Sequence, residues 1–439
     1  MSIQSIRGIH DILPNETPKW QCIEATISKI LSCYAYQEIR LPVLEKTELF
    51  KRAIGDVTDI VEKEMYSFVD KNDTSISLRP EGTAGCVRAA VQNGLLYNQV
   101  QKLWYMGSMF RRERPQKGRY RQFNQLGVET FGLSGYDIDA ELILLSKHIF
   151  TALDIEDISL EINTLGSKLA RQEYAQDLSK YLEQYKNELD TDSQKRLMSN
   201  PLRILDSKDS GTQKILQEAP HLKDYLSKAD AQYFANLCDL LDELGLDYII
   251  NKNLVRGLDY YSHSVFEWKT KQLGSQNTIC AGGRYNDLIE ILSGKQGSAA
   301  GFAIGIERLL ELYSSQHEFT APQLADVYIV VADASLDVIK YTLKLSSILH
   351  AKLPNLKVAT GSSIMSIKSQ FKQAEKMQAS YALIIEHERL VSTKKLMCKQ
   401  LSAGGSRLTV TQQNHVAVPA EKNMQLTVIQ LITFLKQQM

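Results

Sequence analysis

The chain contains 439 residues with 44% hydrophobic and 23% charged side chains, and its 51 Lys+Arg balance 51 Asp+Glu. These values exclude a largely disordered polymer and leave room for roughly two to three domains of ordinary size. The neutral total hides an asymmetry. From Ala325 onward 14 Lys+Arg stand against 7 Asp+Glu, so the last third is basic, which fits either a polyanionic partner or a plain solubility role.

In chain order, the opening MSIQSIRGIHDILP has no basic segment followed by an apolar run, and no stretch reaches the ~18 apolar residues of a membrane helix, so neither secretion nor membrane spanning is expected. Trp20, Ile23, Ile27, Ile30 and Leu31 recur at helical intervals and predict a helix over Pro18–Tyr34. A strand-like YQEIRLPVLE follows, interrupted at Pro42. SISLRP, ending at Pro80, reads as a strand entering a glycine-rich turn at EGTAG, with helices over Cys86–Gln92 and Asp137–Ala152. From about Ser167 to Gly245 the sequence becomes polar, Lys/Glu/Gln-rich and helical without sustained heptads, the texture of an inserted helical subdomain. Beyond Pro322, VYIVVA, a helix through Val338–Ala351, LKVAT, a helix near Ile364–Ala379 and YALIIEHE alternate as β-α-β-α-β. That order predicts a small α/β domain with a largely parallel sheet. The six cysteines are dispersed and form no C-x-x-C pair, and neither they nor the eight histidines have zinc-ligand spacing. This predicts a reduced cytoplasmic compartment, no structural metal, and packing roles for Cys22 and Cys33 on the first helix.

The richest stretch is FRRERPQKGRYRQFNQ, Phe110 to Gln125, with Arg111, Arg112, Arg114, Lys117, Arg119 and Arg121 around the single acid Glu113. Apolar segments on either side predict an antiparallel hairpin with a long basic loop. Period-2 alternation puts Phe123, Gln125 and Glu129 on one face of its second strand, and Arg111 with Glu113 on one face of the first. Guanidinium groups pair bidentately with phosphate oxygens, so the cluster suits a nucleotide polyphosphate; a solvated or RNA-binding loop is the plainer alternative. LVRGLDYYSHSVFEW places Arg256, Asp259, Tyr260 and Tyr261 together, as a polar-tipped aromatic pocket or as an amphipathic strand with interior tyrosines. AGGRYND adds Tyr285 behind two glycines. AAGFAIGIERLLELY spaces Gly301 and Gly305 along an apolar strand that opens a helix at Glu307 and Arg308. Close approach to a planar ligand explains those glycines, as does simple strand-to-helix packing. Arg308 at the positive end of a helix opposes the dipole unless an anion sits there.

Together these segments resemble one family. LPVLE, then FRRE with RYRQF, then GFAIGIERL is similar to motifs 1, 2 and 3 of the class II aminoacyl-tRNA synthetases, and LVRGLDYY and AGGRYNDL resemble the two motifs peculiar to the histidyl-tRNA synthetases. The resemblance runs from RGIHDILP to the C-terminal domain. It implies an α+β class II catalytic domain over 1–324, an antiparallel sheet flanked by helices and carrying the helical insertion at about 167–245, followed by an α/β anticodon-binding domain over 325–439. It further implies histidine activation by ATP, brought as its Mg2+ complex, transfer of histidine to tRNA(His), and a homodimer formed through the segment around Tyr34–Leu44.

By the same resemblance Arg111 holds the α-phosphate, Glu113 contacts adenine, Arg119 and Arg308 meet the γ-phosphate, and Phe123 stacks under the purine. Glu81, Thr83 and Gln125 receive the α-amino group, Glu129 and Tyr261 read the imidazole nitrogens, and Tyr260 and Tyr285 complete the pocket. Arg256 lies at the scissile α-phosphate where related enzymes use a metal; it and Arg111 are the implied catalytic residues. Two positions depart from the family pattern: Ala35 stands where motif 1 often carries glycine, and His10 where asparagine is common. A catalytically silent paralogue, a regulatory subunit of histidine biosynthesis, is the rival reading. Such proteins lack the C-terminal α/β domain and lose family-specific residues, whereas Arg256, Tyr260, Tyr261 and the basic C-terminal third are present in this sequence.

Overall fold

Helical spacing of apolar residues brings Ile23, Ile27 and Leu31 onto one buried face of the first helix, α1 (Thr17–Cys33). In the computed structural model, which describes residues 3–55, 58, 60–116, 118–274, 277–387, 396–401 and 423–438, the chain divides into two compact units, Met1–Phe319 and Thr320–Met439. No helix among the described residues is long and apolar enough to cross a membrane.

In the first unit the chain continues through β1 (Gln37–Glu38), β2 (Leu44–Lys46), α2 (Thr47–Ile54), β3 (Ser67–Val69), β4 (Ser75–Leu78) and α3 (Thr83–Gln92). The hairpin β5 (Gln101–Phe110) and β6 (Gln122–Phe131) follows, then α4 (Tyr136–Ala152) and β7 (Ile158–Thr164). Between β7 and β8 (Tyr248–Ile250) lie α5 (Lys168–Glu183), α6 (Thr191–Ser199), α7 (Ser210–Gln217) and α8 (Lys228–Glu243). Ser167, Asp190, Asp209 and Ser227 cap these four helices with side-chain oxygens that accept from first-turn amides. The unit closes with β9 (Ser262–Thr270), β10 (Thr278–Arg284), α9 (Asn286–Ser293), β11 (Ala299–Gly305) and α10 (Ile306–Gln316).

Eight strands pair in the order β1-β5-β6-β11-β10-β9-β7-β8. The six inner strands are antiparallel, and the short edge strands β1 and β8 run parallel to their neighbours. Both faces are buried: Trp104 packs with α1, α4 and α10, while Leu103 and Tyr105 beside it on β5 point into the cluster of α2, α3 and α9. Pro42 separates β1 from β2, which joins a second sheet of order β2-β4-β3. The EGTAG glycines do not form a turn. Helix α3 begins at Thr83, three residues before the expected start, with Gly82 at its N-cap.

In the second unit β12 (Val327–Val331), α11 (Leu336–Lys352), β13 (Val358–Thr360), α12 (Ile367–Lys376) and β14 (Tyr381–Ile385) realise the expected alternation. The sheet is not largely parallel, however. Its order is β13-β12-β14-β15-β16, and β15 (Leu396–Gln400) and β16 (Asn423–Leu426) add antiparallel before the last helix, α13 (Val428–Gln438). Only residues 386–395 separate β14 from β15, too few for the crossover a parallel strand requires.

Two N-terminal expectations are corrected. Cys22 and Cys33 are exposed on α1, not packed, because Ile23, Ile27 and Leu31 take the buried face. Ala35, the departure from glycine, has φ of 60°. The amides of Ala35 and Tyr36 donate to the carbonyls of Ser32 and Leu31, both at 3.0 Å, so α1 ends in a Schellman motif whose left-handed position is filled by alanine. A non-glycine residue there costs roughly 1–2 kcal/mol, partly offset by the greater unfolded-state freedom of glycine. Ala35→Gly is therefore expected to stabilise the protein by up to about 1 kcal/mol in urea denaturation. A loss of stability would contradict this account of the helix end.

Candidate active site

A cavity of about 240 Å³ opens in the first unit over the β5–β6 hairpin. The start of α3, the loop before β9, strands β10 and β11 and the first turn of α10 complete its wall. Glu81, Thr83, Gln125, Glu129, Tyr260 and Tyr261 line it, and so do Arg111, Glu113, Arg119, Phe123, Arg256 and Arg308. Tyr285 does not line the cavity. It lies behind Glu129, to which its hydroxyl donates. Of the loop cations, Lys117 lies outside the described residues.

One end of the cavity is built around the carboxylate of Glu129, which is 1% exposed. It accepts from the hydroxyls of Thr83 at 2.8 Å, Tyr105 at 3.1 Å and Tyr285. Burial pushes the Glu129 carboxyl up to about 8, and the hydroxyl donors only partly oppose it. Glu81 is buried nearby and accepts from the amides of Thr83 at 2.7 Å and Ala84 at 2.9 Å, so its carboxylate sits on the N-terminus of α3. Burial raises its pKa as well. The rings of Tyr260, Tyr261 and Tyr285 close this end, with centroids 4.8 Å apart for Tyr260–Tyr261 and 5.7 Å for Tyr260–Tyr285. Gln125 also lines the cavity, and its side-chain oxygen is buried.

The opposite end gathers cations. Arg111 donates to the carbonyl of Pro80 at 2.8 Å and lies over the Phe123 ring, 5.2 Å from its centroid. Arg119 pairs with Glu113, whose carboxylate is also 3.9 Å from Arg111. Arg308, on the first turn of α10, donates to the carbonyls of Gly118 at 3.1 Å and Thr278 at 2.8 Å. All three guanidinium pKa values are lowered, first by burial; Arg308 is then depressed further by Arg119 and Arg111. Like charges gathered in a half-buried site are relieved by a bound anion.

Arg256 joins the two ends. Its guanidinium lies 5.6 Å from the Tyr261 ring centroid and repels Arg111. It pairs with Glu267 on β9, which also accepts from the Thr278 hydroxyl at 3.0 Å. Thr278 therefore touches Arg308 and the carboxylate partner of Arg256 at once.

Several residues at the site escape sequence reasoning. Tyr105 looks like any core tyrosine of an apolar strand; its signal is the glycines around it. A Cβ at Gly82 would meet the Tyr105 ring at 2.1 Å and one at Gly127, its partner across the hairpin, at 2.0 Å. Gly301 lines the cavity and has a packing reason as well: it pairs with Glu129 across β6–β11, and a Cβ there would lie 2.1 Å from the Glu129 carboxylate. Gly305 lines the cavity too, and has open space where a Cβ would stand. Glu307 also lines it, accepting from the backbone amide of Asn124 at 2.8 Å and its side chain at 3.0 Å, with burial raising its pKa to about 7. His10 packs edge-on against Tyr120 of the cavity wall, centroids 5.1 Å apart. No group of three His, Cys, Asp or Glu among the described residues is arranged to hold a metal ion.

A family model described as histidyl-tRNA synthetase matches residues 8–309. The chain is similar to the crystal structure of apo S. aureus histidyl-tRNA synthetase, with 33% identity, 99% of this chain and 100% of that chain covered, and a TM-score of 0.79. Histidyl-tRNA synthetase from Nostoc sp. PCC 7120 shares the fold at 19% identity, with 100% of both chains covered and a TM-score of 0.66. So does an ATP phosphoribosyltransferase regulatory subunit/histidyl-tRNA synthetase from Bacillus halodurans at 20% identity, with 85% of this chain and 97% of that chain covered and a TM-score of 0.62.

The Glu129 carboxyl generates a pH signature in the ligand-free protein. Its folded pKa of about 8 lies well above the ordinary glutamate value of about 4.5, so the folded state keeps this proton to higher pH than the unfolded chain does. Its stabilising contribution is full below about 4.5 and is lost as pH rises through about 8. Thermal denaturation between pH 6 and pH 8.5 is expected to show a fall in midpoint that Glu129→Gln largely removes. Equal slopes in both proteins would show that Glu129 is ionised in the empty site.

Proposed function

The chain belongs to the histidyl-tRNA synthetase family, and from that premise we propose that it is an active histidine–tRNA ligase. The observation that carries the reading is a single cavity with a cationic end, a buried acid among tyrosines at the other, and Arg256 between them. That pairing suits a nucleoside triphosphate meeting a small amino acid whose side chain carries polar N–H groups.

In this reading the ATP phosphates lie against Arg111, Arg119 and Arg308, with magnesium entering as part of the substrate complex. Adenine stacks on Phe123 beside Glu113. The Glu113–Arg119 ion pair exchanges for nucleotide contacts when ATP arrives. Histidine binds with its α-amino group toward Glu81, Thr83 and Gln125, and its imidazole toward Glu129 and Tyr261, while Tyr260 and Tyr285 pack the pocket. An imidazole N–H aimed at Glu129 offsets the burial that otherwise keeps this carboxyl protonated. A histidine carboxylate oxygen then attacks the α-phosphorus in line, the bond to the β-phosphate oxygen breaks, and pyrophosphate leaves as histidyl-adenylate forms. Arg256, held by Glu267, supplies a fixed positive charge to the α-phosphate oxygens as their charge rises. In the second step a hydroxyl of the terminal tRNA ribose takes the acyl group and AMP departs.

The remaining assignments belong to the same proposal. The unit from about Ala325 binds the anticodon end of tRNA(His), supported by its basic balance. A homodimer forms along Tyr34–Leu44, where the edge strand β1 and the exposed Val43 and Leu44 lie.

Pyrophosphate exchange measured with each standard amino acid tests the reading: exchange is expected with histidine alone. Its absence with every amino acid would favour the regulatory-subunit reading instead. Arg256→His is expected to slow adenylate formation by about a hundredfold or more, as loss of a preorganised charge donor does. Transfer from supplied histidyl-adenylate to tRNA should change far less. Equal losses in both single-turnover rates would reduce Arg256 to a general pocket residue.

A further inference from the structure

The loop between β8 and β9 carries Arg256, Tyr260 and Tyr261 to the cavity without any helix or strand of its own between residues 251 and 261. Such a segment needs outside restraint to hold charged and aromatic groups in place, because a shift of ~1 Å at a reacting centre can cost about a hundredfold in rate. On its inner side the restraint is ring packing among Tyr260, Tyr261 and Tyr285. Its outer side is held by the helical insertion.

Three insertion side chains reach this loop. Arg171 of α5 donates to the carbonyl of Tyr261 and forms an ion pair with Asp287 of α9 at 2.6 Å. Arg203, in the short helical segment Pro201–Asp206, donates to the carbonyl of Gly257 at 2.7 Å. Asn200, at the end of α6, donates to the carboxylate of Asp259 at 2.8 Å. The two arginines thus hold backbone carbonyls at the two ends of the 257–261 stretch, and Asn200 holds its middle. Asp259 is tied in turn to the core through its amide, which donates to the carbonyl of Ile54 at 3.3 Å.

We propose that Arg171, Asn200 and Arg203 are positioning residues, and that through them the helical insertion sets the place of Arg256 and Tyr261 in the cavity. None of the three needs to touch substrate. The insertion is then part of the activation site's scaffold, and anything that displaces it shifts the charge at the α-phosphate and the ring at the side-chain pocket together. The catalytic consequence rests on the ligase reading; the structural one does not.

The test is amide hydrogen exchange and pyrophosphate exchange on the full chain. In Arg203→Ala, the peptide spanning 256–261 is expected to exchange at least about tenfold faster while α5 and β9 keep their protection, and adenylate formation is expected to fall by about tenfold to a hundredfold. Arg203→Lys should restore both, since one ammonium can reach one carbonyl. Arg171→Lys should not, because its guanidinium serves a carbonyl and a carboxylate at once. Arg171→Ala serves as the second variant should Arg203→Ala disturb the insertion itself. Unchanged protection of 256–261 in both alanine variants would overturn the proposal. If the wild-type chain forms no adenylate, the ligase reading fails while the hydrogen-exchange arm still decides this one.

Discussion

The buried carboxylate of Glu129 is the constraint around which this site is organised. An acid 1% exposed must be given hydrogen-bond donors or kept protonated, and the fold does both, supplying Thr83, Tyr105 and Tyr285 while burial raises the pKa to about 8. Each donor makes its own demand on the chain. Thr83 must begin α3, which Glu81 caps. Tyr105 needs the empty volumes at Gly82 and Gly127, and Glu129 itself needs the one at Gly301. Glycines from three separate segments of sequence thus serve one polar cluster.

The cationic end follows a complementary logic. Arg111, Arg119 and Arg308 would repel one another unscreened, and local oxygens hold them apart: the Pro80, Gly118 and Thr278 carbonyls and the Glu113 carboxylate. Backbone carbonyls orient a guanidinium without neutralising it. Arg256, like Arg119, is held by a carboxylate, in its case Glu267. Being carried on a loop, it also depends on Arg171 and Arg203 from the insertion, which is how a polar helical segment distant in sequence becomes part of the site.

Much of this was legible before any coordinates. The 3.6-residue spacing of Ile23, Ile27 and Leu31 gave α1, and the apolar runs around FRRERPQKGRYRQF gave the hairpin, because in both the burial pattern is written in the residue types. The ligand residues that the resemblance implies, from Glu81 to Arg308, line one cavity, with Tyr285 standing behind it, whereas Arg112, Arg114, Arg121 and Asp259 of the same motifs do not line it. What sequence could not convey was reason and partnership. Gly301 stands out in the sequence, but its crowding by Glu129 depends on the β6–β11 register. Tyr105 is chemically indistinguishable from packing tyrosines until Gly127 is seen opposite. Arg171 and Arg203 read as solvated charges of a polar helical stretch, and the segments of β15 (LMCKQ) and β16 (NMQL) carry no β-branched or aromatic residue to mark them as strands.

The central claim is that the Glu129 end recognises an imidazole independently of the nucleotide end. Calorimetric titration of histidine into the wild-type protein and Glu129→Gln, with ATP titrated into the same preparations, tests it most directly. The account expects histidine affinity to fall by about a hundredfold or more, because an isosteric amide cannot pair with a cationic or N–H-donating ring as a carboxylate does, while ATP affinity stays within about twofold. Unchanged histidine affinity in the variant, or an equal loss for both ligands, would contradict it.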